Sequence, residues 1–206
     1  DKAIWTGKKR YILNVYNSEG VAYAKPKMKV KGLEMIKSST PSSCREKLKE
    51  SIDVILNGDE NAIQEFINTY REEFKTLELS EISFPRGING LIKYSHKETI
   101  YGSKTPIHVR GALLYNHHIK SKKLTTKYPL IQNGEKLKYI YLQEPNHIQS
   151  NIISFPQGGI PEELDLHKYI DYNTQFEKAF LEPLKIILEA IGWKPERVAS
   201  LEDFFS

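Results

Sequence analysis

One cysteine, two methionines and two tryptophans in 206 residues leave little room for several kinds of chemistry. Cys44 has no thiol partner, which excludes an internal disulfide and a cysteine-based structural zinc site and fits a reducing cytosol; its position predicts a buried helix residue. No apolar run approaches the roughly 18 residues of a membrane-spanning helix, and the first thirty residues are basic and polar rather than leader-like. The expectation is a soluble protein that neither crosses a membrane nor is secreted. Familiar catalytic signatures are missing as well: HExxH, GxSxG, the phosphate-cradling GxxxxGK loop and Asp-x-Asp do not occur. His108 with the pair His117 and His118 matches no established zinc spacing, which argues against a small metal-dependent hydrolase. Gly87 with Gly90, and Gly158 with Gly159, read as turns. No complete catalytic centre is expected in this chain.

What is present is charge sorted by region. The chain is 39% hydrophobic and 27% charged with a net charge of +4, enough for one large domain or two small ones with a real core. Residues 1–49 carry 12 Lys and Arg against 4 Asp and Glu, residues 50–159 carry 13 against 12, and residues 160–206 carry 5 against 10. A basic front and an acidic tail point to a polyanion met at one end, with nucleic acid the commonest partner of that kind. The competing explanation is a solvated lysine-rich edge strand, because lysines also keep sheet edges from pairing.

Periodicity organises the chain. In RYILNV, Tyr11, Leu13 and Val15 share one face of a strand while Arg10, Ile12 and Asn14 share the other. Asn17–Gly20 has turn chemistry, and VAYAKPKMKVKG returns as the second arm of a hairpin, with Lys25, Lys27, Lys29 and Lys31 projecting from one face. Cys44, Leu48, Ile52, Ile55 and Leu56 then fall at helical spacing, with Thr40 as N-cap, Pro41 at the first helical position and Gly58 as the stop. A second helix is predicted from about Glu60 to Phe74, its stripe of Ile63, Phe66, Ile67, Tyr70 and Phe74 facing the core. Residues 79–161 read as loops with short strands at LKYIYL and NIISFP. A last long helix is predicted over about Glu162–Ile191, with Leu166, Tyr169, Ile170, Phe176, Phe180, Leu184, Ile187 and Leu188 inward and Pro183 kinking or dividing it. The final ten residues read as a mobile tail.

Four cationic or polar clusters remain. They are Lys8, Lys9, Arg10 and Tyr11; Lys37, Ser38, Ser39 and Thr40 at a helix start; Arg86, Asn89 and Lys93 in SFPRGINGLIKY; and His108 with Arg110 in IHVRGALLYN. A helix N-terminus with hydroxyls and a neighbouring lysine suits a phosphate. Each cluster alone is ordinary, since a lone KKR is usually solvated and a lone SSTP is usually a cap.

Their order is informative. KKRY, then KGLEMIKSSTP, then SFPRGINGLIKY, then IHVRGALLYN, and finally SLEDFFS resemble the C-terminal part of the replicative family B DNA polymerases of T-even-like phages, over essentially the whole chain. The resemblance implies an α+β fold: residues 1–36 as the end of the palm domain with a basic β-hairpin, 37–195 as a mainly helical thumb with a few short strands, and 196–206 as a clamp-binding tail. It implies that Lys8, Lys9, Arg10 and Tyr11 hold primer-template duplex from the minor groove, where acceptor atoms are similar for every correct pair. Lys37, Ser38, Ser39 and Thr40 would lie at the palm–thumb junction against the DNA backbone, and Arg86, Asn89, Lys93, His108 and Arg110 near phosphates in the thumb. Leu201, Phe204 and Phe205 match the hydrophobic peptide by which that family docks on the sliding clamp. Docking back on the thumb is the alternative for those aromatics.

The same resemblance implies that the exonuclease, fingers and palm segments bearing the magnesium-binding aspartates lie upstream. No cofactor is then expected in this chain, which would be inactive alone. A start at Asp rather than Met fits a fragment or a split polymerase subunit. The site of action implied is the cytoplasm of an infected bacterium. A stand-alone nucleic-acid-binding module without a polymerase partner is the second reading.

Overall fold

A computed structural model describes residues 2–197, in which the chain is divided into two compact units. One holds everything up to Thr76 together with the chain from Phe176 onward; the other is Leu77–Gln175. Helices and small antiparallel sheets occur together, the α+β class expected from the sequence.

In the first unit, β1 (Lys2–Gly7), β2 (Arg10–Ser18) and β3 (Val21–Lys31) form an antiparallel meander in the order β1-β2-β3. The sequence reading therefore missed one strand: KAIWTG alternates too weakly, with only Ile4 buried, to announce itself. Register places Ile4 opposite Ile12 and Ile12 opposite Val30, which makes this the core face of the sheet. After a 3-10 turn at Glu34–Ile36 come α1 (Ser42–Asn57) and α2 (Glu60–Phe74). Gly58 ends α1 as expected, its N–H donating to the Val54 carbonyl at 2.8 Å. Asp59 caps α2 by accepting from the Ala62 N–H at 2.9 Å.

The second unit contains α3 (Leu79–Ile82), β4 (Phe84–Gly87), α4 (Leu91–Tyr94), the short pair β5 (Ser95–His96) and β6 (Ile100–Tyr101), α5 (Ile107–Ser121), β7 (Lys136–Tyr141) and β8 (Ile152–Phe155). The sheet order is β4-β7-β8, and α5 packs on β8. The strands expected at LKYIYL and NIISFP are β7 and β8. The reading of residues 79–161 as loops and strands is corrected by α5, a helix of 15 residues. Gly111 concealed it, since a mid-helix glycine costs about 1 kcal/mol and reads as a break. Here the glycine is a packing device: a Cβ on Gly111 would lie 2.5 Å from Ser154 Oγ and 2.6 Å from its backbone nitrogen.

The expected long helix over 162–191 is also corrected. The chain instead forms 3-10 turns at Glu162–Leu164 and His167–Tyr169, with Asp165 left-handed at φ 50°, then α6 (Tyr172–Phe176), a π-turn at Glu177–Leu181 and α7 (Glu182–Glu189). Pro183 sits at the start of α7 rather than kinking it, and the wider π-turn just before it accommodates the missing donor. The apolar positions were nevertheless well chosen. Leu166, Ile170, Phe176, Phe180, Leu184, Ile187 and Leu188 are buried, and Tyr169 is half-buried. In the first unit Tyr70, Phe74, Phe176 and Phe180 form a ring cluster with centroids 4.8–5.7 Å apart, the spacing of favourable edge-on and tilted aromatic pairs.

Candidate nucleic-acid interface

The four clusters fall into two sets, one in each unit. In the first unit Lys8 and Lys9 do not lie on a strand: they are the two turn residues between β1 and β2, with Gly7 paired to Arg10. Lys9 is left-handed at φ 61°, and both lysines are exposed. The turn is held from below by Gly32 at φ +72°, where a Cβ would lie 2.5 Å from the Lys9 carbonyl oxygen and 3.1 Å from Arg10 Cγ. Only glycine combines that φ with that approach.

The same close approach brings Glu34 beneath Arg10. The Arg10 guanidinium donates to both carboxylate oxygens, at 3.3 and 3.0 Å, and Lys37 Nζ donates to the same carboxylate at 2.8 Å. Glu34 is thus the hub that joins the KKRY turn to Lys37, and sequence reasoning assigned it no role. The available signal was one carboxylate, Glu34, between Lys31 and Lys37 in an otherwise cationic segment. Arg10 Nε is buried without a hydrogen-bond partner. Arg10 is therefore oriented by a carboxylate, while Lys8 and Lys9 present their charge outward.

The helix-start cluster is placed differently from the expectation. Pro41, at φ −54° and ψ 146°, is the N-cap of α1 and makes no side-chain cap hydrogen bond. Thr40 is buried and its N–H donates to the Lys37 carbonyl at 3.2 Å, forming a turn instead of a cap. Ser38 is exposed and Ser39 half-buried.

In the second unit the cations lean on aromatic rings. Arg86 on β4 lies 5.9 Å from the Phe84 ring centroid and 5.7 Å from that of Tyr139, while Phe84 and Tyr139 stack on each other at 5.0 Å. Arg110 on α5 donates to Asn151 Oδ1 at 2.7 Å and lies over Tyr101 at 5.9 Å. Burial, and then the charge of Arg86, hold the His108 imidazole below its ordinary 6.5. The structure thus brings Arg86 and His108 into one electrostatic neighbourhood. Asn89 is exposed beside Gly90, a left-handed residue that starts α4. Lys93 lines an open groove of about 620 Å³ with Tyr94, His96, Tyr101 and Lys104. Lys104 and Tyr101 were missed because β6, which Tyr101 ends, is two residues long and Lys104 lies in the turn after it, so no periodicity marks either.

Leu201, Phe204 and Phe205 lie outside the described residues. Among the described residues no group of three His, Cys, Asp or Glu comes together to hold a metal ion. No helix among the described residues is long and apolar enough to cross a membrane.

Each unit by itself presents cations suited to a polyanion: an outward lysine pair and a carboxylate-anchored arginine in the first, and ring-supported cations in the second. Comparison with known proteins agrees in class: nearly the whole chain is similar to a segment of phage DNA-directed DNA polymerases. It is 35% identical over 204 residues to the DNA-directed DNA polymerase of Enterobacteria phage T4 and 38% identical over 204 residues to that of Escherichia phage RB69. Each match covers 98% of this chain but 22% of the relative, so the chain spans about a fifth of the length of the curated relatives it matches. No protein-family model matches it. The resemblance read from the motifs is borne out.

Proposed function

We propose that this chain is the C-terminal palm end and thumb of a phage-type DNA polymerase, the part that grips primer-template duplex and tethers the enzyme to a sliding clamp. The observation that carries the reading is the 35–38% identity spread over 98% of a chain whose cations stand on fixed supports. Lys8 and Lys9 reach the minor groove from their turn, where readout tolerates any correctly paired sequence. Arg10 and Tyr11 follow them along β2. Lys37, Ser38, Ser39 and Thr40 lie against the backbone, and Arg86, Asn89, Lys93, His108 and Arg110 lie near phosphates. Leu201, Phe204 and Phe205 enter an apolar groove on the clamp.

The contribution to synthesis is positional. Holding the primer end in register supplies orientation for a phosphoryl transfer carried out by upstream polymerase segments, whose aspartates bind magnesium. The place of action is the cytoplasm of the infected host, and the partners are the duplex, the clamp and those upstream domains.

Salt dependence of primer-template binding tests the grip. Each neutralised phosphate contributes about −0.9 to the log–log slope, so Lys8→Ala is expected to reduce its magnitude by about one. A flat salt response removes the reading. Deleting residues from Leu201 onward is expected to abolish clamp binding and leave duplex affinity nearly unchanged; equal clamp affinity with and without the tail defeats the tether. Mixing the chain with the remainder of the polymerase is expected to restore primer extension.

A further inference from the structure

The core face of the β1-β2-β3 sheet is the face of Ile4, Ile12 and Val30, which leaves the opposite face to be explained. Register puts Trp5 opposite Tyr11 and Tyr11 opposite Lys31 in one rank, Leu13 opposite Lys29 in the next, and Val15 opposite Lys27 in a third. Each rank therefore sets an aromatic or aliphatic side chain on the central strand beside a lysine on the edge strand. Trp5 is 62% exposed, with its ring 5.0 Å from Tyr11 and tilted by 46°. Leu13, Val15, Lys27 and Lys29 line a shallow groove of about 330 Å³ on this sheet.

We propose that this face binds an unpaired nucleic-acid strand, with a base stacked on Trp5 and the sugar-phosphate chain running along Lys31, Lys29 and Lys27. Two residues of a strand rise about 7 Å, so the three ammonium groups recur at nearly the separation of neighbouring phosphates in an extended strand. Indole and phenol faces beside a cationic track are the combination that holds single strands without regard to sequence. Duplex cannot use it in the same way, because its base faces are already stacked on one another. A protein partner fits less well: the cores of protein interfaces are depleted of lysine, whereas here a lysine stands in every rank. The site leaves out Lys8 and Lys9 but shares Tyr11 with the duplex grip, and it rests on the reading of the chain as a nucleic-acid binder.

The test compares binding of oligothymidylate and of blunt duplex to the 206-residue chain and to Trp5→Ala, by fluorescence anisotropy. Expected is a loss of about ten-fold or more for oligothymidylate, the contribution of one stacked base, with duplex affinity within about two-fold. Lys27→Ala combined with Lys29→Ala is expected to reduce the single-strand salt slope by about 1.4. If the chain binds duplex but not oligothymidylate, or if Trp5→Ala binds oligothymidylate as tightly as the unaltered chain, the inference falls while the duplex grip stands. If the chain binds neither, the nucleic-acid reading itself falls. A concentration-dependent dimer abolished by Trp5→Ala, with single-strand binding unchanged, assigns the face to a second copy and also overturns the inference.

Discussion

The candidate-site cations of the two units are held differently. In the first, Arg10 and Lys37 are tied to Glu34, a carboxylate that fixes their positions but cancels part of their charge. In the second, Arg86 rests on Phe84 and Tyr139, and Arg110 on Tyr101 and the neutral amide of Asn151. Rings and amides orient a guanidinium without neutralising it. The Glu34 carboxylate thus exchanges field strength for geometry, whereas the rings beside Arg86 and Arg110 hold a guanidinium by contact. The difference also separates the backbone devices: Gly32 supports a turn in one unit, and Gly111 lets a helix reach a strand in the other.

The largest perturbation confines damage to one unit. Phe180→Ala is expected to cost about 3–5 kcal/mol through the ring cluster, exposing Cys44 to thiol reagents while hydrogen exchange of the β8 amides stays slow. Cys44 is a clean reporter because burial pushes its thiol up to about 12 and keeps it inert in the folded unit. Equal loss of protection in both units would erase the distinction between them.

Next in size is Gly32→Ala, expected to cost about 1–3 kcal/mol in urea unfolding and to weaken duplex binding through the displaced Lys8–Lys9 turn. Gly7→Ala, whose Cβ would meet nothing within 4 Å, is the comparison and is expected to stay within about 0.5 kcal/mol. Similar costs at both positions would rule out the close approach as the reason for glycine at 32.

Glu34→Gln tests the exchange of field for geometry. The Arg10 and Glu34 side chains are 33% and 23% exposed, so solvent screening limits the stability cost to about 1 kcal/mol or less. The duplex salt slope is expected to steepen by about 0.9 as the freed cations reach a phosphate. An unchanged slope would show that the carboxylate withholds no charge from the ligand.

The smallest effect is read at His108. Its folded-state pKa is depressed, so the unfolded chain takes up that proton more readily and stability is lost as pH falls below 6.5; above that the penalty is absent. Arg86→Gln is expected to move the His108 titration upward in NMR without restoring it fully, because burial is the larger cause. No movement would disconnect the two residues.

How much of this was legible in the sequence follows from range. Gly58 and the stripe of α2 act within one or two turns, and the bounds of that helix were read correctly. The core of the last segment was legible too, because apolar spacing survives irregular backbone. What failed was anything set by distant partners. Gly111 reads as a break until Ser154, 43 positions later, gives it a reason. Tyr11, Leu13 and Val15 read as one face of a strand, yet only pairing with β1 and β3 reveals that the core takes the other. Glu34 becomes a hub only once Gly32 turns the chain back beneath Arg10.

The division of the chain also sets an order of events during synthesis. Leu77–Gln175 is continuous and can complete its packing as soon as it leaves the ribosome, although it lies in the middle of the chain. The first unit must wait, with Tyr70 and Phe74 lacking Phe176 and Phe180 until more than a hundred further residues have been added. The stretch before Leu77 therefore acquires its core after the stretch that follows it, and its half-finished aromatic surface is what a chaperone would meet on the nascent chain.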